Sequence, residues 1–113
     1  MTRHITIPNL APFLQDFSET HRARPVTLEV LVGATWNIQE TGVPLVGLDL
    51  ETRGSGAPAL EIMLGDEVSG ERRHLTHTVP RVTGVTVELD EKDDERRVIV
   101  EGDDGFQAVL SID

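Results

Sequence analysis

Two histidines, His74 and His77, lie three residues apart in the run HLTHTV of a chain that has four histidines and no cysteine. On a helix this spacing places two imidazoles side by side, where they are able to bind one metal ion. The β-branched residues Thr76, Thr78 and Val79 favour a strand instead, and in a strand the two side chains point to opposite faces. The run therefore predicts a strand and no metal site.

His77 and His21 are the histidines expected near the core. Strand alternation places His77 on the same face as Leu75 and Val79, and His21 follows the apolar stripe of an N-terminal helix. Each buried imidazole needs a hydrogen-bond partner. We interpret both as packed core histidines. The alternative is an enzyme, or a metal-binding or small-ligand-binding protein, that uses a polar cluster of His21 and His77.

Other patterns that carry chemistry are weak. Without cysteine there is no thiolate nucleophile and no disulfide. None of the serines lies in a GxSxG elbow, and GSG at 54–56 precedes neither a lysine nor a helix. The carboxylate runs at 90–95 and 101–105 lack the ligand spacing of a calcium loop. The sequence predicts no catalytic residue, no metal and no cofactor.

The charge balance limits the partners. Twenty acidic and ten basic side chains give a net charge of −10, which repels nucleic acid phosphates and anionic lipids. The chain contains no apolar run of membrane-spanning length, and its N-terminal residues do not resemble a signal peptide. We expect a cytoplasmic protein that binds neither nucleic acid nor membrane.

One helix is predicted near the N-terminus, at residues 9–22. Apolar residues recur at i, i+3, i+4 and i+7 from Leu10 to Phe17, and the stripe continues to His21. Asn9 is a favourable N-cap residue. Pro25 ends the helix, because a proline disfavours helical geometry in the residue before it.

After Pro25 the hydrophobic period changes to two, which is typical of strands. The links between the alternating runs are short and rich in turn residues, and such links favour antiparallel neighbours. We predict a single α+β domain over residues 1–113, with the helix packed on a curled, mostly antiparallel sheet or partial barrel of six to seven strands (a β-meander over residues 26–113). The alternating runs lie at 26–32, 45–51, 60–65, 74–79, 85–90, 98–102 and 106–112.

Trp36, the only tryptophan, is a candidate binding residue. It lies with Ile38 in the polar segment ATWNIQETG, which we expect to be a connection outside the strands. Several apolar side chains occupy the outer face of the predicted strands, and such residues are covered by the curled sheet itself, by a second copy or by a partner. These outer residues are Leu31, Met63, Ile99 and Val109.

The order of motifs resembles a small bacterial family catalogued only as a domain of unknown function. The motifs are FLQDFSETH, VTLEVL, PLVGLDLE and HLTHTV, followed by VEGDDGFQAVLSI. In that family a phenylalanine-rich helix ends in a serine and a histidine, as Phe17, Ser18 and His21 do here, and a THT strand follows, as at 76–78. The resemblance covers nearly the whole chain. It implies a stand-alone protein but no reaction, substrate or cofactor.

Our leading hypothesis is a small cytoplasmic, non-catalytic binding or protein-interaction module. One alternative is the enzyme or ligand-binding protein built on His21 and His77. Another is a structural homodimer or accessory subunit that buries Leu31, Met63 and the Trp36 region. The distance between the two histidines, and the space between them, distinguishes a packed interface from a site.

Overall fold

The change of hydrophobic period at Pro25 separates one helix from a large antiparallel sheet. The computed structural model describes residues 1–68 and 71–113, with the side chains of 1–65 and 74–113. In these residues α1 spans Leu10–His21 and eight strands form one sheet. The strands are β1 (Thr2–Ile5), β2 (Pro25–Val32), β3 (Thr35–Glu51), β4 (Ala59–Val68), β5 (Glu71–Val79), β6 (Val82–Leu89), β7 (Glu95–Gly102) and β8 (Gln107–Ile112).

The α+β class and the antiparallel pairing are confirmed, but the sheet has more strands than the six to seven predicted. The additional strand is β1, which pairs with β6 at one edge of the sheet. Of its four residues only Ile5 is buried. So short a segment with one inward side chain gives no alternation from which a strand is predicted.

The helix is confirmed, with bounds one residue inside those predicted at each end. Asn9 occupies the N-cap position as predicted, but its side chain makes no capping hydrogen bond. Residues Ile7–Asn9 form a short 3-10 helix that leads into α1, and the side-chain amide of Asn9 donates to the hydroxyl of Thr6 at 2.9 Å. Asn9 is already inside a turn, so its side chain contacts the preceding residues and not the helix.

Strand β3 divides the sheet into two halves. Residues 35–44 pair with β2, whereas residues 45–51 pair with β4. The strand order is β1-β6-β7-β8-β2-β3-β4-β5, and β1 and β5 do not pair with each other, so the sheet is not closed. We name the part from β1 to residue 44 of β3 the large half-sheet. The part from residue 45 of β3 to β5 is the small half-sheet.

The inward faces of both half-sheets and one face of α1 form a single hydrophobic core. The alternation predicted from the sequence is seen directly in β2, where every second residue from Val26 to Val30 is buried. The helix contributes Leu10, Phe13, Leu14 and Phe17, and the small half-sheet contributes Leu45, Leu48, Leu60, Ile62, Leu64 and Val79.

Ser18 joins the helix to an open edge of β3. Beyond Pro44 the strand no longer pairs with β2, so its backbone on that side lacks a neighbouring strand. The N–H of Leu48 donates to the Ser18 hydroxyl oxygen at 2.8 Å, and that oxygen lies 2.7 Å from the carbonyl oxygen of Leu14 and 3.2 Å from that of Leu48. Ser18 thereby satisfies backbone groups that the helix buries.

Replacing Ser18 by alanine is expected to leave the buried N–H of Leu48 without its acceptor. Such a group costs about 1–3 kcal/mol. Urea denaturation of Ser18→Ala should therefore show that loss in the free energy of unfolding. Ser55→Ala, in an exposed loop, is the matched control and should change it by less than about 0.5 kcal/mol. Equal effects at both positions would contradict the role given to Ser18.

Candidate functional site

The three residues singled out from the sequence lie in three different places. His21 lines a polar groove at the end of α1. His77 lines a small cavity between the two half-sheets. Trp36 lies in β3 and is exposed to solvent. The structure does not bring His21 and His77 into one cavity, so each is described separately.

His21 is only 5% exposed, and both of its ring nitrogens have partners. Nε2 lies 2.9 Å from a carboxylate oxygen of Glu95, and Nδ1 lies 3.5 Å from the guanidinium of Arg24. The neutral imidazole with a proton on Nε2 satisfies both contacts, donating to Glu95 and accepting from Arg24. The ring also packs on Phe17, with centroids 4.4 Å apart. His21 therefore acts as a bridge within the fold.

The groove beside His21 has a volume of about 410 Å³ and is lined by α1, Arg3 and the β6–β7 hairpin. Arg3 approaches the second oxygen of Glu95 at 3.8 Å, and Arg96 binds Asp90 at 2.8 Å. The lining includes both arginines and carboxylates, so neither charge sign dominates. These contacts hold the hairpin against the end of the helix.

Asp90 organises the tip of the same hairpin. One of its oxygens accepts from the backbone N–H of Lys92 at 2.8 Å and from that of Asp94 at 3.0 Å. The other accepts from Arg96 at 2.8 Å. The N–H of Asp94, then that of Lys92, and the Arg96 guanidinium hold the pKa of Asp90 below its usual range.

His77 lies on the inner face of β5, opposite Ile62 of β4, whereas His74 is exposed. The two histidines thus differ in exposure as the strand alternation predicts. His77 is half-buried and not fully buried, because β5 is the last strand of the sheet and only β4 flanks it. It lines a cavity of about 200 Å³ with Leu28 and Glu40 from the large half-sheet.

Trp36 belongs to a strand, so the prediction that it lies in a connection is wrong. Residues 35–44 pair with β2, which places Trp36 opposite Leu31 and Ile38 opposite Glu29. Trp36 and Ile38 alternate with polar residues, so a strand pattern was present in the sequence. It was missed because its apolar side chains point outward: Trp36 is 46% exposed and Ile38 is 65% exposed.

These side chains form part of a larger apolar surface on the outside of the large half-sheet. Glu29 lies opposite Val109 of β8, and Val109 lies opposite Ile99 of β7. Four neighbouring strands therefore contribute, and at about 4.8 Å between strands the surface is about 15 Å wide. We name it the Trp36 face. It comprises Leu31, Trp36, Ile38, Ile99 and Val109, with Glu29 among them.

No protein-family model, no curated protein and no solved structure matches this chain. The resemblance to a bacterial family of unknown function stays a prediction. Among the side chains described, no three histidines, aspartates or glutamates are grouped to hold a metal ion. In the same part of the chain no helix is long and apolar enough to cross a membrane.

Replacing His21 by alanine should destabilise the fold more than replacing His77. Without the imidazole, Phe17 loses a packing partner and Glu95 loses a hydrogen-bond donor. We expect a loss of about 1–3 kcal/mol in the free energy of unfolding, measured in urea. His4→Ala, at an exposed position, should change it by less than about 0.5 kcal/mol. A larger loss for His77→Ala would contradict this ranking.

The contribution of Asp90 should depend on pH. Because its pKa is lower in the folded chain than in the unfolded chain, its carboxylate stabilises the fold fully above the unfolded pKa of about 4. This stabilisation is lost as the pH falls through the folded pKa. The difference in melting temperature between the native chain and Asp90→Ala should be largest near neutral pH and shrink in acid. Glu91→Ala, also at the hairpin tip, serves as the control, and a pH-independent difference would contradict the prediction.

Proposed function

We propose that this chain is a small cytoplasmic, non-catalytic protein-interaction module that binds a protein partner on the Trp36 face. The observation that carries the proposal is the exposure of Trp36 and Ile38 beside three half-buried apolar side chains on adjacent strands. Contiguous exposed apolar surfaces mark interaction sites in proteins. Tryptophan is also among the residues that most often dominate the binding energy of an interface.

The polar side chains support a non-catalytic function. Ser18 and His21 are the buried polar side chains of the described residues. The hydroxyl of Ser18 binds the backbone of the helix and of β3, and the imidazole of His21 binds Glu95 and Arg24. A general acid or base has to reach a substrate proton. Both groups are instead occupied by contacts that hold the helix in place.

The shape and charge of the chain favour a protein as the partner. Sites for small molecules are concave and enclose most of the ligand, whereas the Trp36 face lies on the outer surface of a pleated sheet. The net charge of −10 disfavours nucleic acid. A protein surface that presents its own apolar side chains fits such a face, as when two sheets or a helix and a sheet pack together.

Selection from a displayed library of random peptides tests the proposal. We expect peptides enriched on the native chain to bind at the Trp36 face and to shift the fluorescence of Trp36 to shorter wavelength as water leaves the ring. Ile38→Ser should lower the affinity of these peptides by about tenfold or more, which corresponds to about 1.4 kcal/mol. Val46→Ser removes an exposed valine from the small half-sheet and should change binding by less than about twofold.

Two results would overturn the proposal. Enriched peptides that bind Ile38→Ser as tightly as the native chain would show that the Trp36 face is not the binding surface. A native chain that sediments as a dimer, and becomes a monomer in Ile38→Ser, would show that a second copy occupies the face in place of a different protein.

A further inference from the structure

We infer that the partner places a lysine or arginine side chain against Glu29, at the centre of the Trp36 face. This inference rests on the proposed function and adds the chemistry of the partner. It is derived from the neighbours of Glu29, from the ion pairs of the described residues and from the cost of covering a carboxylate with apolar surface.

Glu29 has apolar side chains on three sides of the outer face, and Thr27 lies on the fourth. Ile38 lies opposite it on β3 and Val109 lies opposite it on β8, while Leu31 follows two residues later on the same side of β2. Glu29 is already half-buried in the free chain. A partner that covers Ile38 and Val109 must also cover the carboxylate between them.

The chain supplies no counter-ion for this carboxylate in the part that the structure describes. The carboxylates in ion pairs there are Glu88, Asp90, Glu95 and Asp103. On the outer face of the large half-sheet, Arg97 is the arginine nearest to this region by register, and it contacts Glu88 at 3.6 Å. Glu29 is therefore left for a partner to neutralise.

A carboxylate that is covered without a cation loses its hydration and gains nothing in return. This desolvation penalty stays large even after the protein relaxes. A lysine or arginine of the partner offsets it, and complementary charges also speed association and exclude partners of the wrong charge. The Trp36 face thus selects a surface that is apolar with a basic residue within it.

A second copy of the chain does not meet this requirement. A two-fold axis through the centre of the Trp36 face would bring together two copies of Glu29 and add two copies of Glu101, which lies opposite Gln107 at the border of the face. The arginine available nearby, Arg97, is already paired with Glu88. Like charges in one interface are costly, so charge complementarity favours a different, basic partner.

Charge reversal at Glu29 tests the inference with the same displayed peptide library. Peptides enriched on the native chain should contain apolar residues together with lysine or arginine, and those enriched on Glu29→Lys should contain aspartate or glutamate instead. Glu91→Lys makes the same change at the exposed hairpin tip and should leave the selected composition as in the native chain. Thermal melting of each variant confirms that it is folded.

The tightest peptide from the native selection provides a second measurement. Its affinity, followed by Trp36 fluorescence, should fall about tenfold in Glu29→Gln, as expected for the loss of one close charge pair. It should also weaken as NaCl is raised from about 50 to about 300 mM, since the screening length then falls below about 10 Å. In Glu29→Gln this salt dependence should be smaller.

The outcomes separate the inference from the proposed function. Selected peptides that require Ile38 but carry no excess of basic residues, or whose composition is unchanged by Glu29→Lys, overturn the inference and leave the Trp36 face as a binding surface. Selection that yields no peptide dependent on Ile38 overturns the proposed function, and the inference with it.

Discussion

The hydrogen bond between Leu48 and Ser18 allows one long strand to belong to two half-sheets. Where β3 leaves β2 after Pro44, a row of backbone groups faces the interior and needs partners. The helix covers this edge, and the hydroxyl of Ser18 replaces the missing strand at 2.8 Å from the nitrogen of Leu48. Because the backbone groups of this edge have hydrogen-bond partners, the inner faces of both half-sheets and the apolar stripe of α1 are able to pack into one core.

The same anchoring fixes the position of His21. Immediately after α1 the N–H of Ala23 donates to the carbonyl of Leu45 at 2.8 Å, and the N–H of Leu45 donates to the carbonyl of Arg24 at 2.9 Å. These bonds hold the end of the helix where the imidazole reaches Glu95 at the start of β7. The polar residues at this end of the fold therefore form a connection between three elements. The Trp36 face, where we propose that a partner binds, lies on the outer face of the large half-sheet.

Local patterns in the sequence were sufficient to predict α1 and most strands, because an apolar stripe with helical spacing indicates a helix and an alternating run indicates a strand. The first half of β3 was missed because Trp36 and Ile38 point away from the core. The residues around them are polar, so the segment was interpreted as a loop. The contact between His21 and Glu95 joins residues 74 positions apart, which no local period encodes. The position of Glu29 between Val109 and Ile38 likewise depends on the strand order.

The pairing of β1 with β6 joins two segments that are far apart in the sequence. His4 and Thr86 are 82 positions apart in the chain, so β1 has no neighbour until the chain between them has folded back on itself. Closing a loop of that length carries an entropic cost before any contact is gained. Pairings between distant segments slow the folding of β-rich domains. The hairpins β2–β3 and β6–β7 join neighbouring segments, so closing them costs less conformational entropy than pairing β1 with β6.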